Sequence, residues 1–304
     1  MSRQLSDYLI WEHGLPHPDW ERVFAALDAD PRVPTAGAAR EELICDLERQ
    51  WLGILRGGLG GGYEVHEGPR AFLLTDLEEP DARELLAFVE RTVGILDDAL
   101  EGNADQGVHG RHVVIVISEE DDYYSYVSHH FPDGHYGLTA GVCIRGGEIH
   151  VVVNGTGAEL RRTLAHELGH DLLSTKSAPL WLEEGVVQVL TRYALDEPPL
   201  ELMQDAMVAH GQCWHWHGLA GFWDGSAFFR PDDVTARAYE LAELLARGMN
   251  RLDAGKFDRF LATADREDAG ESACRAVYGV SLLHFVGLVL GAGPWFVPEP
   301  AGGG

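Results

Sequence analysis

Arg161-Arg162-Thr163-Leu164-Ala165-His166-Glu167-Leu168-Gly169-His170-Asp171 is the stretch that organises the rest of the chain. At about 100° per residue, a helix here puts His166 and His170 on one face, one turn apart, where two imidazoles can converge on a single ion. Leu160, Leu164, Leu168 and Leu172 form a separate apolar stripe, so one side of the helix can enter a core while the histidines face a cleft. Glu167 lies about 100° round from His166. That direction suits proton transfer with a water beside the ion better than ligation. The five-residue motif also arises by chance, so the reading requires a third ligand.

The long continuation that would add Gly at 173 and a third His at 176 is excluded, because Leu173 and Lys176 stand there. Downstream, Pro179-Leu180-Trp181-Leu182-Glu183-Glu184-Gly185-Val186-Val187-Gln188 opens a second helix, with Pro179 tolerated in its first turn. From the residues alone, Glu183 and Glu184 both compete to be the third ligand. His166-Glu167-Leu168-Gly169-His170 followed by Trp181-Leu182-Glu183-Glu184-Gly185 resembles the gluzincin metallopeptidases, especially the Peptidase MA-like group related to thermolysin and the aminopeptidases. The resemblance is densest over 160–190 and extends over about 63–290, leaving 1–62 unmatched.

The resemblance implies one zinc ion held by His166, His170 and Glu184, an open position for water, and Glu167 as the general base in peptide hydrolysis. Thirteen residues, 171–183, separate His170 from Glu184, a shorter gap than in the aminopeptidases but enough for a turn and a returning helix. Ala236-Arg237-Ala238-Tyr239-Glu240 resembles the helix that supplies an oxyanion-stabilising Tyr in those families, which implies Tyr239; a Tyr opening an amphipathic helix can equally be a packing residue. Tyr278, in Tyr278-Gly279-Val280-Ser281, reads as structural. Asp171 and Gln188 are the nearest candidates to orient the zinc histidines, and thermolysin-like enzymes favour a carboxylate where Gln188 stands. The aminopeptidase run Gly-x-Met-Glu-Asn is missing, since Met occurs at 1, 203, 207 and 249 only. The expected substrate is therefore a peptide or protein cut internally. The alternative is a zinc-holding, catalytically silent interaction module, which the retention of Glu167 argues against.

The fold expected around this centre is α+β and, by the resemblance, zincin-like. A helical segment over 1–62 carries apolar periodicity at Asp19–Leu27 and Ala38–Leu55. A domain over 63–290 divides into a sheet and zinc helix (63–175) and a helical part (176–290), and 291–304 is a tail. Gly57 to Gly62 read as a turn, because no Lys-Ser or Lys-Thr follows to make a phosphate cradle. Short apolar runs at Ala71–Leu74, His112–Ile117, Gly137–Ile144 and Ile149–Val153 predict a small mixed, largely antiparallel sheet interrupted by a helix at Asp81–Leu100. Gly146-Gly147 suits a hairpin between the last two runs.

Composition bounds the partners. The 304 residues carry 49 acidic and 23 basic side chains, net −26, a field that repels phosphate backbones and anionic lipid. Neither a nucleic acid nor a membrane is expected as partner, and the oligomeric state is left open. The start, Met1-Ser2-Arg3-Gln4, lacks a basic segment followed by an apolar one, and Cys45, Cys143, Cys213 and Cys274 lie far apart, so a cytoplasmic protein with reduced thiols is expected. His210-Gly211-Gln212-Cys213-Trp214-His215-Trp216-His217 offers four potential ligands in eight residues and is read as a strand or loop lining the cleft or as plain packing, with a second metal site as the lesser alternative. His129, His130 and His135, near Tyr123, Tyr124 and Tyr126, could line the cleft, but loop histidines are mostly solvated.

Overall fold

The computed structural model describes residues 5–100, 110–132 and 139–297, with the side chains of 216 and 217 excepted. It is a mixed α+β protein that divides into two compact units, Met1–Ser174 and Thr175–Gly304.

The first unit is built on a five-stranded sheet in the order β3-β4-β5-β7-β6. β4 (Ala71–Thr75), β5 (His112–Val116) and β7 (His150–Val153) run parallel, and β3 (Glu64–Glu67) and β6 (Gly141–Ile144) flank them antiparallel. The sheet is mixed as expected, but its centre is parallel rather than largely antiparallel. A helix, α3 (Glu79–Leu100), joins β4 to β5, and a helical crossover returns the chain in the same direction. The three central strands are buried almost throughout, and their unbroken apolar runs are what a sheet covered on both faces demands. The β6–β7 hairpin forms where the paired glycines predict it, with Ile144 opposite His150 and Gly147 at φ 87°. Residues 137 and 138 of the expected strand lie outside the described residues.

One sheet face, with Phe72, Leu74, Val113, Ile115 and Val152, packs in a core with Trp51, Leu52 and Leu55 of α2 (Ala38–Leu59) and Tyr123 and Tyr126 of α4 (Glu120–His130). Helices α3 and α5 (Gly157–Leu172) pack against the sheet and each other. Helix α4 was expected as loop. Its run Glu-Asp-Asp-Tyr-Tyr-Ser-Tyr has little apolar periodicity, and the tertiary burial of Tyr123, Tyr126 and Val127 is what selects the helix.

The segment over 1–62 is not wholly helical. Strands β1 (Leu9–Glu12) and β2 (Leu15–Pro18) form an antiparallel hairpin whose turn residues His13 and Gly14 both have positive φ. Pro16 and Pro18 disfavour a helix there, and His-Gly stands where such turns more often have Asn-Gly. Helix α1 (Trp20–Asp28) follows, capped by Asp19, which accepts from the Arg22 amide at 3.1 Å. Helix α2 runs on through Gly57 and Gly58 and stops at Gly60, φ 94°.

The second unit is helical in its described part: α6 (Leu180–Ala194), α7 (Gln204–His217), α8 (Ala220–Trp223), α9 (Asp233–Leu252), α10 (Ala254–Thr263), α11 (Glu271–Tyr278) and α12 (Leu282–Leu290). Its core gathers Trp181, Phe222, Trp223 and Phe260. Helices α6 and α9 approach closely at Gly185, where an added Cβ would lie 2.3 Å from the Ala242 carbonyl oxygen. Residues 298–304 of the expected tail lie outside the described residues. No single helix among the described residues is long and apolar enough to cross a membrane.

Candidate metal centre

Helix α5 forms as its period requires. Leu160, Leu164, Leu168 and Leu172 are buried, while His166 and His170 are half-buried on another face. Their Nε2 atoms stand 3.2 Å apart, with rings at 80° and centroids 4.8 Å apart. Glu167 is buried beside them.

The antiparallel strand β6 lies along this helix and supplies what sequence reading missed. A Cβ at Gly141 would meet Thr163 Cγ2 at 2.4 Å and Glu167 Cγ at 3.1 Å, so the glycine makes room for the carboxylate's stem. Cys143 follows two residues on, its thiol pushed up first by burial and then by the negative charges of Asp171 and Glu167. Just beyond the strand, Arg145 Nη2 donates to the His170 carbonyl oxygen at 3.1 Å and lies 3.4 Å from His170 Nδ1. The period of two along an extended chain puts positions 141, 143 and 145 on one side, which the sequence carries but without indicating what they face.

Asp171 turns to another histidine than the pair on its own helix. Its carboxylate lies 2.6 Å from His112 Nδ1 and ties the last turn of α5 to the first residue of β5. Burial opposes the charged form of His112, but the charge of Asp171 and its hydrogen bond prevail and hold the imidazole above its ordinary value. Tyr123 is also buried, its hydroxyl pushed upward by burial, with the charge of Glu167 acting in the same direction.

In the second unit, Glu184 is buried on α6. Its neighbour and rival Glu183 is buried too and lies 3.6 Å from the Arg266 guanidinium, whose Nε donates to the Ala178 carbonyl. Glu183 thus has a structural cation at hand. Trp181 donates from Nε1 to the Ala269 carbonyl at 2.9 Å, which fixes the start of the helix, and Gln188 is half-buried. Tyr239, on α9, is half-buried with its ring edge-on to Phe228 at 5.1 Å. Tyr278 donates to the Met249 carbonyl at 3.3 Å, as a structural residue does.

His210 to His217 lie on a helix, not on a strand or loop. His210 is buried and its Nε2 sits 2.5 Å from Glu240 Oε2, whereas His215 is exposed. His129 and His130 end α4 rather than lie in a loop, with His129 Nδ1 2.6 Å from Glu12, and His135 lies outside the described residues.

His166 and His170 lie in the first unit and Glu184 in the second, and each is of a type that can ligate a metal ion. Two imidazoles and a carboxylate suit zinc and other borderline cations. No protein-family model and no curated protein matches the chain.

Proposed function

We propose that this chain is a zinc-dependent peptide hydrolase of the gluzincin type, on a zincin-like fold, with His166, His170 and Glu184 as the ligands of one ion. The observation that carries the reading is the convergence of the two Nε2 atoms at 3.2 Å on a helix that also buries Glu167. A bound zinc ion supplies Lewis acidity and, at a position left open by three protein ligands, an acidified water.

The chain's own residues do the rest. Glu167 takes a proton from the attacking water and returns it to the amine as the C–N bond breaks, so the pair of products carries every atom of water and peptide. Tyr239 donates its hydroxyl to the oxygen that becomes negative during attack. Gly141 keeps space for the Glu167 stem, and Asp171 with His112 braces the end of the zinc helix. The substrate is an extended peptide or unfolded protein cut internally. Four free cysteines support a reducing compartment such as the cytoplasm.

The test is zinc content together with cleavage of a generic unfolded protein. Wild type is expected to hold one zinc and cleave; Glu167→Gln keeps the zinc and loses cleavage by about 10²–10⁴-fold. Glu184→Gln loses zinc, while Glu183→Gln keeps it and loses stability. Zinc bound with no Glu167-dependent cleavage assigns the chain to a silent interaction module instead, and zinc retained by Glu184→Gln overturns the ligand set.

A further inference from the structure

In the first unit the β1–β2 hairpin meets helix α4 through imidazoles. His17, on β2, is fully buried, its ring flat on His129 (centroids 3.8 Å apart, planes at 21°), edge-on to His130 at 5.3 Å and tilted against Tyr126 at 4.9 Å. Among the described residues, neither ring nitrogen of His17 has a hydrogen-bond partner, and the buried Nε2 of His130 has none either. His150, on β7, shows the ordinary arrangement of a core histidine. Its Nδ1 donates to the Glu148 carbonyl at 2.8 Å, and its Nε2 accepts from the Tyr126 hydroxyl at 2.9 Å. The contrast lies in what a proton does at each ring. A neutral His17 leaves one N–H and one lone pair unmatched, whereas an imidazolium leaves two buried donors and a charge set against His129 and His130.

We propose that this cluster is an acid-sensitive joint, closed while His17 and His130 are neutral and opened by their protonation, which releases the β1–β2 hairpin from α4 while the five-stranded sheet stays folded. The surrounding charges favour that outcome. The hairpin brings Glu12 and His13, and the Glu12 carboxylate lies 2.6 Å from His129 Nδ1 rather than on His17. Helix α4 brings His129 and His130, and β7 brings His150, which feels the charge of Asp171. Helix α2 presents the Trp51 ring edge-on to His150 at 4.9 Å, and its buried Glu48 is hydrogen-bonded to Glu148. Burial first, and neighbouring imidazoles second, lower His17 to about 3 and His130 to about 2. In water each ring returns to its ordinary 6.5, so the open joint binds more protons than the closed one as the pH falls below that value.

The topology makes the hairpin separable. Strands β1 and β2 pair with each other in a sheet of their own, and no ladder bond ties them to the five-stranded sheet. Side-chain packing against α2 and α4 holds them instead. A two-stranded hairpin without such support is marginal in water, so release exposes its amides.

Amide hydrogen exchange of the full chain, corrected for the intrinsic effect of pH on exchange, tests this residue by residue. Between pH 7.5 and pH 5, protection of the hairpin amides is expected to fall by about 30-fold for each histidine that titrates on opening, or by about 1,000-fold for His17 and His130 together. At both pH values it should lie below the protection of β4 and β5. His17→Phe, which keeps a ring in the stack, should make the fall about 30-fold smaller. His13→Gln, at the exposed turn, should leave the fall as in wild type. Equal protection of hairpin and sheet amides at both pH values means a single global opening and overturns the proposal. Hairpin protection that ignores pH, a wild-type fall in His17→Phe, or a fall lost in His13→Gln overturns it as well. If His17→Phe does not fold, the comparison of hairpin with sheet in wild type still decides.

Discussion

Helices α5 and α7 both carry histidines in a number that invites a metal reading, yet their geometry separates them. On α5 the two imidazoles are four residues apart and their Nε2 atoms come within 3.2 Å. On α7, His210 and His215 are five residues apart, about 140° round the helix. One is buried against Glu240 and the other is exposed on a cavity it shares with Val208, Gln212, Leu290 and Trp295. For these two described histidines the spacing decides: a chelating pair needs a common face, and His210 and His215 do not share one. The sharpest way to break this comparison is a pair of matched truncations. His170→Ala should lower zinc affinity by at least about 100-fold with little change in fold. His210→Ala should leave zinc content unchanged and lower stability by ~2 kcal/mol, through the cavity left in a buried site. Metal analysis and denaturant titration of both proteins check it. Zinc lost from His210→Ala and kept in His170→Ala would reverse the roles of the two helices.

The two helices bearing the proposed ligands differ in how glycine serves them, and that difference sharpens the same argument. At Gly185 the obstacle to a side chain is backbone, the Ala242 carbonyl oxygen at 2.3 Å, which cannot turn aside. At Gly141 the obstacles are side-chain atoms of Thr163 and Glu167, and rotation can relieve part of the clash. Gly185→Ala is therefore expected to destabilise by ~3 kcal/mol by forcing α6 from α9. Gly141→Ala should destabilise less, ~1 kcal/mol, and lower cleavage out of proportion, because it moves the stem of Glu167. Equal losses of stability, with cleavage by Gly141→Ala intact, would show that β6 does not position the carboxylate.

Legibility from sequence follows the range of the interaction. Helix α5, its leucine face and its histidine pair were readable, because each depends on residues within one or two turns. So was the hairpin at Gly146 and Gly147. The parallel centre of the sheet is legible only in the unbroken apolar runs 113–116 and 151–153, which indicate strands covered on both sides, while the paired glycines beside them favour an antiparallel hairpin. Helix α4 was missed because its helical state depends on burying Tyr123 and Tyr126 against distant strands. Arg145 was invisible for a related reason. Nothing near it in the chain announces His170, and the contact exists only once β6 has paired with β7 and lies along α5.

A smaller effect concerns a third group of histidines, those packed with Tyr126 in the first unit. His17, His130 and His150 come together with ring centroids 5.3 Å (His17–His130) and 5.4 Å (His130–His150) apart. Burial, reinforced for His17 and His130 by the neighbouring imidazoles, lowers His17 to about 3 and His130 to about 2; burial alone leads for His150, at about 4. All three are thus neutral in the folded protein at neutral pH. Unfolding frees them to take protons below their ordinary value of 6.5, so the unfolded chain binds more protons than the folded one as the pH falls. Stability is accordingly unaffected above about pH 6.5 and lost from there downward, until the folded groups themselves titrate near pH 2–4. Each histidine contributes a slope of ~1.4 kcal/mol per pH unit in that window. Urea titrations at pH 7, 6 and 5 should show the first unit weakening with acid, and His17→Phe should remove about one histidine's share of the slope. The contrast is His112, whose folded-state value is raised by Asp171, so that its contribution runs the other way: full below the unfolded value and lost as the pH rises through the folded one. His112→Gln should therefore leave the slope below pH 6.5 unchanged and cost less stability as the pH rises above that value, where His17→Phe relieves the acid loss; a His112→Gln that relieved the acid loss as well would show that the imidazoles of this unit are not held in opposite charge states.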